Sequence, residues 1–292
     1  MKKNSPTGCF MGLLTLDLQF EVSTMPPQNQ KVNASTLEVS IGGPATNAAL
    51  TFQRLGGKGT LLAALGQNPL SSFIQKELDR LDLAMKDLAL GESRQPPLAS
   101  VFQHPNGDRS IVSYRGEPLS FHRQLTNPQW FDKQSLLLLD GSHMEIAIEL
   151  AKFAKQSGMT VILDAGSWKS GTQDLLPWID IAIASADFCA PDWSGDGLDF
   201  LKASGVPYAA VSYGHLPLKY YSPSEKGQIL IDSVNLVDTL GAGDVLHGAF
   251  CYYWAREADF RSALFRASKV ASFSCQYRGA HTWFDYWENE HL

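Results

Sequence analysis

Residues 237–250 read Val-Asp-Thr-Leu-Gly-Ala-Gly-Asp-Val-Leu-His-Gly-Ala-Phe. The stretch joins a strand-like apolar run to a helix-like run that begins near Ala242. Small residues at Gly241, Ala242 and Gly243 allow a sharp turn and a close approach of the backbone to a ligand. The first N–H groups of a helix have no partner within the helix. A helix start of this kind predicts an anion-binding site.

Asp244 falls in the first turn of that helix, where the helix dipole stabilises a carboxylate. A carboxylate beside a bound phosphate is suited to take a proton from an attacking hydroxyl, so we predict Asp244 as a general base. From these residues alone, the alternative is a tight strand-to-helix turn without a ligand. Two other phosphate-binding motifs are excluded, because the dinucleotide pattern requires glycine at Leu246 and the P-loop requires serine or threonine at Gly59.

Short apolar runs and helix-periodic stretches alternate along the chain. The strand-like runs lie at residues 9–16, 60–65, 135–139, 160–163, 179–184, 208–211 and 229–234. The helix-periodic stretches lie at residues 45–55, 70–83, 144–156, 197–204, 245–258 and 261–275. This alternation predicts an α/β fold with a mostly parallel central sheet and helices on both faces.

Two segments break this alternation and are predicted to form a small β lid. They are residues 18–40 and 98–116, both inserted in a single domain that spans residues 1–292. The second segment contains Pro105-Asn-Gly-Asp, which is typical of a hairpin turn. A flap of this kind would cover a ligand. Since uncovered strand edges invite pairing, we also expect a homodimer formed through the lid strands.

Composition excludes several classes of partner. The 292 residues include 24 Lys and Arg against 30 Asp and Glu, and the resulting net charge of −6 gives no global positive field for nucleic acid or anionic lipid. No apolar run approaches the roughly 20 residues that span a bilayer, so we expect a cytoplasmic protein. The 7 histidines show no metal-binding spacing, so no built-in metal site is expected.

Four segments resemble the ribokinase-like (PfkB) carbohydrate kinases. Residues 238–244 resemble the C-terminal signature of that family, and residues 42–57, a di-glycine that leads into a helix, resemble its N-terminal signature. Residues 12–17 resemble its first strand, which ends in a substrate-binding aspartate. Arg278-Gly-Ala280 resembles the late turn near the nucleotide. The four matches follow the family order, and the closest likeness is to the ketohexokinase and sulfofructose-kinase branch.

The resemblance implies a ribokinase-like fold and transfer of the γ-phosphoryl group of ATP to a hydroxymethyl group of a sugar or sugar-like substrate. Asp244 would be the base, the backbone of residues 241–243 the anion hole, and Mg²⁺ would arrive with ATP. The candidates on the nucleotide side are Gly241, Ala242, Gly243, Thr239, Gly214 and Gly279. The substrate-side candidates are Asp17, Gly42, Gly43, Asn47 and Arg115.

Several assignments have alternatives. Asp238 is a candidate for binding K⁺, as its family equivalent does, or is a local turn carboxylate. Asp17 would otherwise be a strand-end carboxylate, Asn47 a support for the helix start, and Arg115 a solvated surface cation. His247, three residues after Asp244, is expected to be a packing or capping residue and not a catalyst.

The chain also departs from the family. Residues 185–188 lack its N-x-x-E motif, and Pro217 replaces a glycine of its nucleotide strand. The functional alternatives are therefore a nucleoside kinase of the same fold, or a non-catalytic protein that binds a sugar or a nucleotide.

Overall fold

The computed structural model describes residues 5–104, 109–119 and 127–290, which form two sheets and a set of helices. The strands are β1 (Thr7–Met11), β2 (Thr15–Glu21), β3 (Thr36–Gly42), β4 (Lys58–Ala63), β5 (Ala84–Asp87), β6 (Leu98–Gln103), β7 (Arg109–Tyr114), β8 (Leu136–Leu139), β9 (Thr160–Ala165), β10 (Ile181–Ser185), β11 (Tyr208–Tyr213), β12 (Leu216–Tyr221) and β13 (Lys226–Ile229). The helices are α1 (Pro44–Arg54), α2 (Pro69–Arg80), α3 (Met144–Gln156), α4 (Thr172–Leu175), α5 (Gly197–Ala203), α6 (Ala242–Glu257), α7 (Phe260–Ser274) and α8 (Phe284–Glu290). The predicted turn at residues 105–108 lies outside the described residues.

The large sheet confirms the predicted α/β class. Its nine strands run in the order β13-β12-β11-β10-β9-β8-β1-β4-β5, and every pair from β11 to β5 is parallel. Strand β8 reads Leu-Leu-Leu-Leu and is buried at every position, as expected for a strand that is covered on both faces. In such sheets, ligands bind beyond the carboxyl ends of the parallel strands.

Helices cover both faces of the large sheet, as predicted. On one face, α1, α2, α6 and α7 contribute Ala48, Ile74, Phe250 and Leu264 to a single apolar cluster. On the other face, α3, α4 and α5 form a second cluster with strands β8 to β11. Both clusters bury apolar side chains almost completely, which fixes the strand ends and the helix starts relative to one another.

The small sheet has the order β3-β2-β6-β7 and two chemically different faces. The register places Leu18, Phe20, Leu37, Val39, Phe102 and Val112 on one face, with no charged residue among the positions that share it. Asp17, Glu21, Gln103 and Arg109 lie on the opposite, polar face. Contacts of Arg109 with Asp238 show that the polar face looks toward the start of α6.

The predicted first strand, residues 9–16, is two strands in the structure. Strand β1 ends at Met11, and the Asp140 carboxylate accepts a hydrogen bond from the Leu13 N–H at 2.8 Å. A Cβ atom on Gly12 would lie 2.1 Å from that carboxylate, so glycine is needed where the chain turns away. Asp17 consequently lies within β2 of the small sheet and not at the end of the first strand of the large sheet.

The predicted strand at residues 229–234 is wrong. Strand β13 ends at Ile229, and residues 230–237 form no regular structure. Leu230 and Leu236 in this segment are 75% and 66% exposed, so their apolar character does not reflect core packing. Among the described residues, no helix combines the length and the apolar character needed to cross a membrane.

Candidate active site

The start of α6 leaves backbone N–H groups available to an anion. Gly241 precedes the helix with a φ of 73°, a left-handed conformation that favours glycine. No described residue accepts a hydrogen bond from the N–H of Gly243 or Asp244. The N–H of Ala242, which was predicted to face the phosphoryl group, donates instead to the Thr239 carbonyl at 3.2 Å. The available donors are therefore the N–H groups of Gly243 and Asp244, which lie further into the helix than Ala242.

A cleft of about 610 Å³ opens in front of these donors. It is lined by Gly243, Thr239 and Ala242, by Gly214 in the turn between β11 and β12, and by Ser185 at the end of β10. A Cβ atom on Gly243 would have no neighbour within 4 Å, so packing does not require a glycine there. Of the predicted nucleotide-side residues, Gly214, Thr239, Ala242 and Gly243 thus line one cleft. Gly241 and Gly279 are not part of its lining, and the Gly279 N–H donates to Asp238 at 3.0 Å.

A close crossing of α1 and α6 brings Asn47 to Asp244. Gly248 lies one turn after Asp244, and a Cβ atom on it would come within 2.3 Å of the Ala48 carbonyl oxygen. Because only glycine permits this approach, the two helices touch directly. Asn47 Nδ2 donates to Asp244 Oδ2 at 2.7 Å. Two residues separated by nearly 200 positions in the chain are therefore hydrogen-bonded partners.

The surroundings of Asp244 prepare it to accept a proton. Burial raises the pKa of its carboxyl to about 7, and the nearby Asp164 carboxylate acts in the same direction. The hydrogen bond from Asn47 and the proximity of His247 lower the pKa, and Asp140 raises it further. A carboxylate whose pKa lies near neutral pH is well matched to general-base catalysis.

Asp164 and His247 are neighbours that act electrostatically on the Asp244 carboxylate, and they also contact each other. Asp164, at the end of β9, is 7% exposed, and burial raises its pKa. The His247 ring lies with Nδ1 2.7 Å from the Gly243 carbonyl and Nε2 3.0 Å from the Ile183 carbonyl, while Nε2 is 3.5 Å from Asp164 Oδ1. These contacts agree with the packing role expected for His247. The sequence analysis did not select Asp164, although its position directly after the apolar run at residues 160–163 could have indicated it.

Asp17 and the di-glycine pack against each other at the small sheet. Thr15 Oγ1 donates to Asp17 Oδ1 at 2.6 Å, and a Cβ atom on Gly42 would lie 2.1 Å from Asp17 Oδ2. Burial raises the pKa of Asp17. Gly43 has a φ of 102°, and a Cβ atom there would approach the Leu13 carbonyl oxygen to 2.4 Å. Gly43 is thus required by close packing against backbone, whereas a side chain at Gly42 would displace the Asp17 carboxylate. That carboxylate lies on the polar face of the small sheet.

Arg109 links the small sheet to the loop before α6. Its Nη1 donates to Asp238 Oδ1 at 3.0 Å and its Nη2 to Thr239 Oγ1 at 2.7 Å. Asp238 also accepts hydrogen bonds from the N–H groups of Leu240 and Gly279. The Asp238 carboxylate is therefore held by a guanidinium and two backbone donors. Arg109 was not among the predicted site residues.

Arg115 is not brought to this site. It is exposed beyond the end of β7, and no contact joins it to the other candidate residues within the described ranges. The candidate substrate residues that do lie together are Asp17, Gly42, Gly43 and Asn47, at the polar face of the small sheet and the start of α1.

The end of β10 and the residues after it carry oxygen atoms that could face Mg²⁺. Ser185 Oγ donates to the Gly166 carbonyl and accepts from the Asp187 N–H, and Asp187 is exposed. An exposed carboxylate next to the cleft is a fitting partner for an ion that prefers oxygen ligands and keeps several waters. In the described ranges, no group of three or more His, Cys, Asp or Glu residues is arranged to hold a metal by itself.

Comparisons with known proteins agree with this architecture. Residues 8–285 match the family described as pfkB family carbohydrate kinase. The deoxyribokinase of Salmonella typhi is 21% identical over 93% of both chains. The crystal structure of a ribokinase from Thermotoga maritima superposes with a TM-score of 0.83 at 19% identity, covering 96% of this chain and 95% of that one. Arabidopsis thaliana ribokinase, complexed with ribose and ATP, gives a TM-score of 0.79 at 21% identity, with 95% and 94% covered.

Proposed function

Because this chain belongs to the pfkB family of carbohydrate kinases, we propose that it transfers the γ-phosphoryl group of ATP to a hydroxymethyl group of a sugar. The observation that carries the proposal is the position of Asp244. Its carboxyl group, with a pKa of about 7, lies in the same helical turn as two N–H groups that donate to no described residue. The neighbouring Gly243 lines the cleft. This arrangement puts a base and an anion site next to each other.

The residues divide the reaction between them. Asp244 Oδ1 accepts the proton of the substrate hydroxyl while Oδ2 stays hydrogen-bonded to Asn47. The freed oxygen forms a bond to the γ-phosphorus, the bond from that phosphorus to the bridging oxygen breaks, and ADP leaves. The N–H groups of Gly243 and Asp244 offset the charge on the transferring group. Asp187 is a carboxylate that could help hold the Mg²⁺ of a bound ATP, and that ion would neutralise charge on the phosphate oxygens.

The substrate side is proposed to use hydroxyl-binding groups. An amide nitrogen carries two donors, and only one of those on Asn47 is engaged by Asp244. The second would donate to a sugar hydroxyl, and the Asp17 carboxylate would accept from another. Their placement on either side of the Gly42–Gly43 turn supports a polyhydroxylated substrate over an apolar one.

A phosphoryl-transfer screen tests this function. The chain is incubated with Mg²⁺ and either ATP or GTP against pentoses, ketohexoses, sugar acids and nucleosides, and phosphorylated products are identified by mass spectrometry. We expect a phosphorylated sugar with ATP. A product found only among the nucleosides would identify the nucleoside kinase instead. Stabilisation by ATP in a thermal-shift assay, without any product from the panel, would favour the non-catalytic binder that the Pro217 and Ser185–Phe188 departures suggest.

Arg109 is proposed to supply the positive charge next to Asp238, in place of K⁺. The pair is largely buried, with side-chain exposures of 20% and 5%, and losing one partner of such a pair costs about 3 kcal/mol. We expect wild-type activity to be equal in Na⁺ and K⁺ buffers and Arg109→Ala to lower kcat/KM at least tenfold. Arg115→Ala, which removes a nearby exposed arginine, is the matched control and should match wild type. A rate that depends on K⁺ in the wild type would restore the cation-site interpretation of Asp238.

The apolar face of the small sheet is proposed to pair with a second copy of this chain. Leu37 and Val112 are 56% and 64% exposed on a face without charges, and an identical uncharged face is its natural complement in a two-fold interface. We expect light scattering to give twice the 32.1 kDa chain mass. Val112→Asp should give the single-chain mass, while Ser113→Asp, which points to the opposite face, should not. A wild-type monomer at assay concentration would refute the dimer.

A further inference from the structure

A hydrogen-bonded chain runs from the C-terminal segment to the proposed base. His281 Nε2 lies 2.9 Å from Asn47 Oδ1, and Asn47 Nδ2 lies 2.7 Å from Asp244 Oδ2. Asn47 is only 7% exposed, so water has little access to its side chain. None of the sequence motifs that predict the site includes His281.

The chemistry of the three groups fixes the direction of every hydrogen bond. An ionised carboxylate only accepts, so the NH₂ group of Asn47 must face Asp244. The amide oxygen of Asn47 must then face His281, and the ring must donate from Nε2. If the amide were flipped, its oxygen would face the carboxylate oxygen and a repulsive contact would replace a charge-assisted hydrogen bond.

The His281 ring is held where it can act as this donor. Burial lowers its pKa to about 4, and the guanidinium of Arg80 acts in the same direction, so the ring stays neutral near pH 7. It stacks on Phe284 with ring centroids 5.3 Å apart. The neighbouring Trp283 is fully buried and donates to the Ala280 carbonyl at 3.0 Å, which anchors the segment.

We propose that His281 is a positioning residue, which locks the Asn47 amide in the orientation that donates to Asp244 and thereby sets the protonation and the aim of the base. The proposal rests on the proposed function of Asp244. Its physical consequence is that removing the His281 donor frees the amide to rotate. Asp244 then loses the hydrogen bond that favours its ionised form.

The groups that face Asp244 come from four elements, and the test must separate His281 from them. They are Asn47 on α1, Asp140 after β8, Asp164 on β9 and His247 on α6. The variants at position 281 leave all of these side chains unchanged. Any shift in the titration of Asp244 would therefore report the state of the Asn47 amide.

The experiment compares His281→Gln, which keeps a donor, with His281→Phe, which keeps an aromatic ring but cannot donate. For His281→Phe we expect the acidic limb of the kcat/KM profile to move up by about one pH unit, and the rate at pH 6 to fall roughly tenfold. For His281→Gln we expect the limb at the wild-type position. The proposal would be overturned if the acidic limb of the kcat/KM profile lay at the same pH in wild type and in both variants. It would also be overturned if this limb shifted as far in His281→Gln as in His281→Phe.

A second measurement needs no substrate and so separates failure of this inference from failure of the proposed function. The folded-state pKa of Asp244 is raised, so stability is lost as the pH rises from about 4 toward 7. If the pKa of Asp244 rises further in His281→Phe, the drop in melting temperature between pH 5 and pH 8 becomes larger. We expect a larger drop in His281→Phe than in wild type and a wild-type drop in His281→Gln. An unchanged drop in His281→Phe would contradict the inference even if the chain proved to have no kinase activity.

Discussion

Asp244→Asn is expected to lower kcat by at least about a hundredfold, the scale of a lost general base, while the fold is retained. The replacement has nearly the same shape, and its amide oxygen can still accept from Asn47 Nδ2. It cannot take the proton of a substrate hydroxyl. Steady-state assays at pH 8 with the sugar found in the screen would measure the loss.

The same substitution is expected to stabilise the protein above neutral pH. In the wild type, folding places an ionised Asp244 near Asp164, and its pKa rises from 3.8 to about 7. The folded state therefore loses stability as the pH rises through this interval, and a neutral amide removes that loss. Thermal melting should show Asp244→Asn above wild type at pH 8, with the difference shrinking toward pH 5. Normal turnover, or a lower melting temperature at pH 8, would count against the assigned role.

Gly243→Ala is expected to show whether Gly243 is needed for anion binding or only for the turn. The new Cβ atom would meet nothing within 4 Å, and the residue lies in a helix with no positive φ. Replacing a helical glycine by alanine contributes about 0.5–1 kcal/mol to stability. The methyl group would, however, stand in the cleft in front of the free N–H groups, where the phosphoryl group must approach.

We therefore expect Gly243→Ala to melt at or above the wild-type temperature and to lose roughly a hundredfold in kcat/KM for ATP, comparable to losing an oxyanion donor. Melting and initial rates can be measured on the same preparation. If the variant is as active as wild type, the glycine serves only the turn, and the N–H groups of α6 do not bind the phosphoryl group.

The architecture could be predicted from the sequence because most predicted strands and helices form where the local pattern of apolar residues places them. Alternating apolar runs became the parallel strands β1, β4 and β8 to β11, and α3 begins and ends at the predicted residues 144 and 156. The start of α6 was predictable because Gly241 can adopt the left-handed conformation that a sharp turn before a helix-periodic run requires. Segments that depend on a distant partner were less predictable. The turn after Met11 is set by Asp140, more than a hundred residues away.

The site was only partly predictable for the same reason. Asn47 and Asp244 were each proposed from their own motifs, but their direct hydrogen bond depends on the contact between Gly248 and the Ala48 carbonyl. Arg109 and His281 carried no local signal, since each reaches the site through tertiary packing of a different segment. Arg115 was a substrate-side candidate, but it is exposed beyond the end of β7, since charge without a packing constraint does not place a residue.

The pH dependence of kcat/KM in wild type and in Asp244→Asn tests the central claim most directly, because this profile reports the protonation of the free enzyme. For the wild type we expect a plateau above pH 7 and a fall of about tenfold per pH unit below it, set by the Asp244 pKa of about 7. For Asp244→Asn we expect a low residual rate without that limb. A limb that remains at the same pH in the variant would show that another group takes the proton.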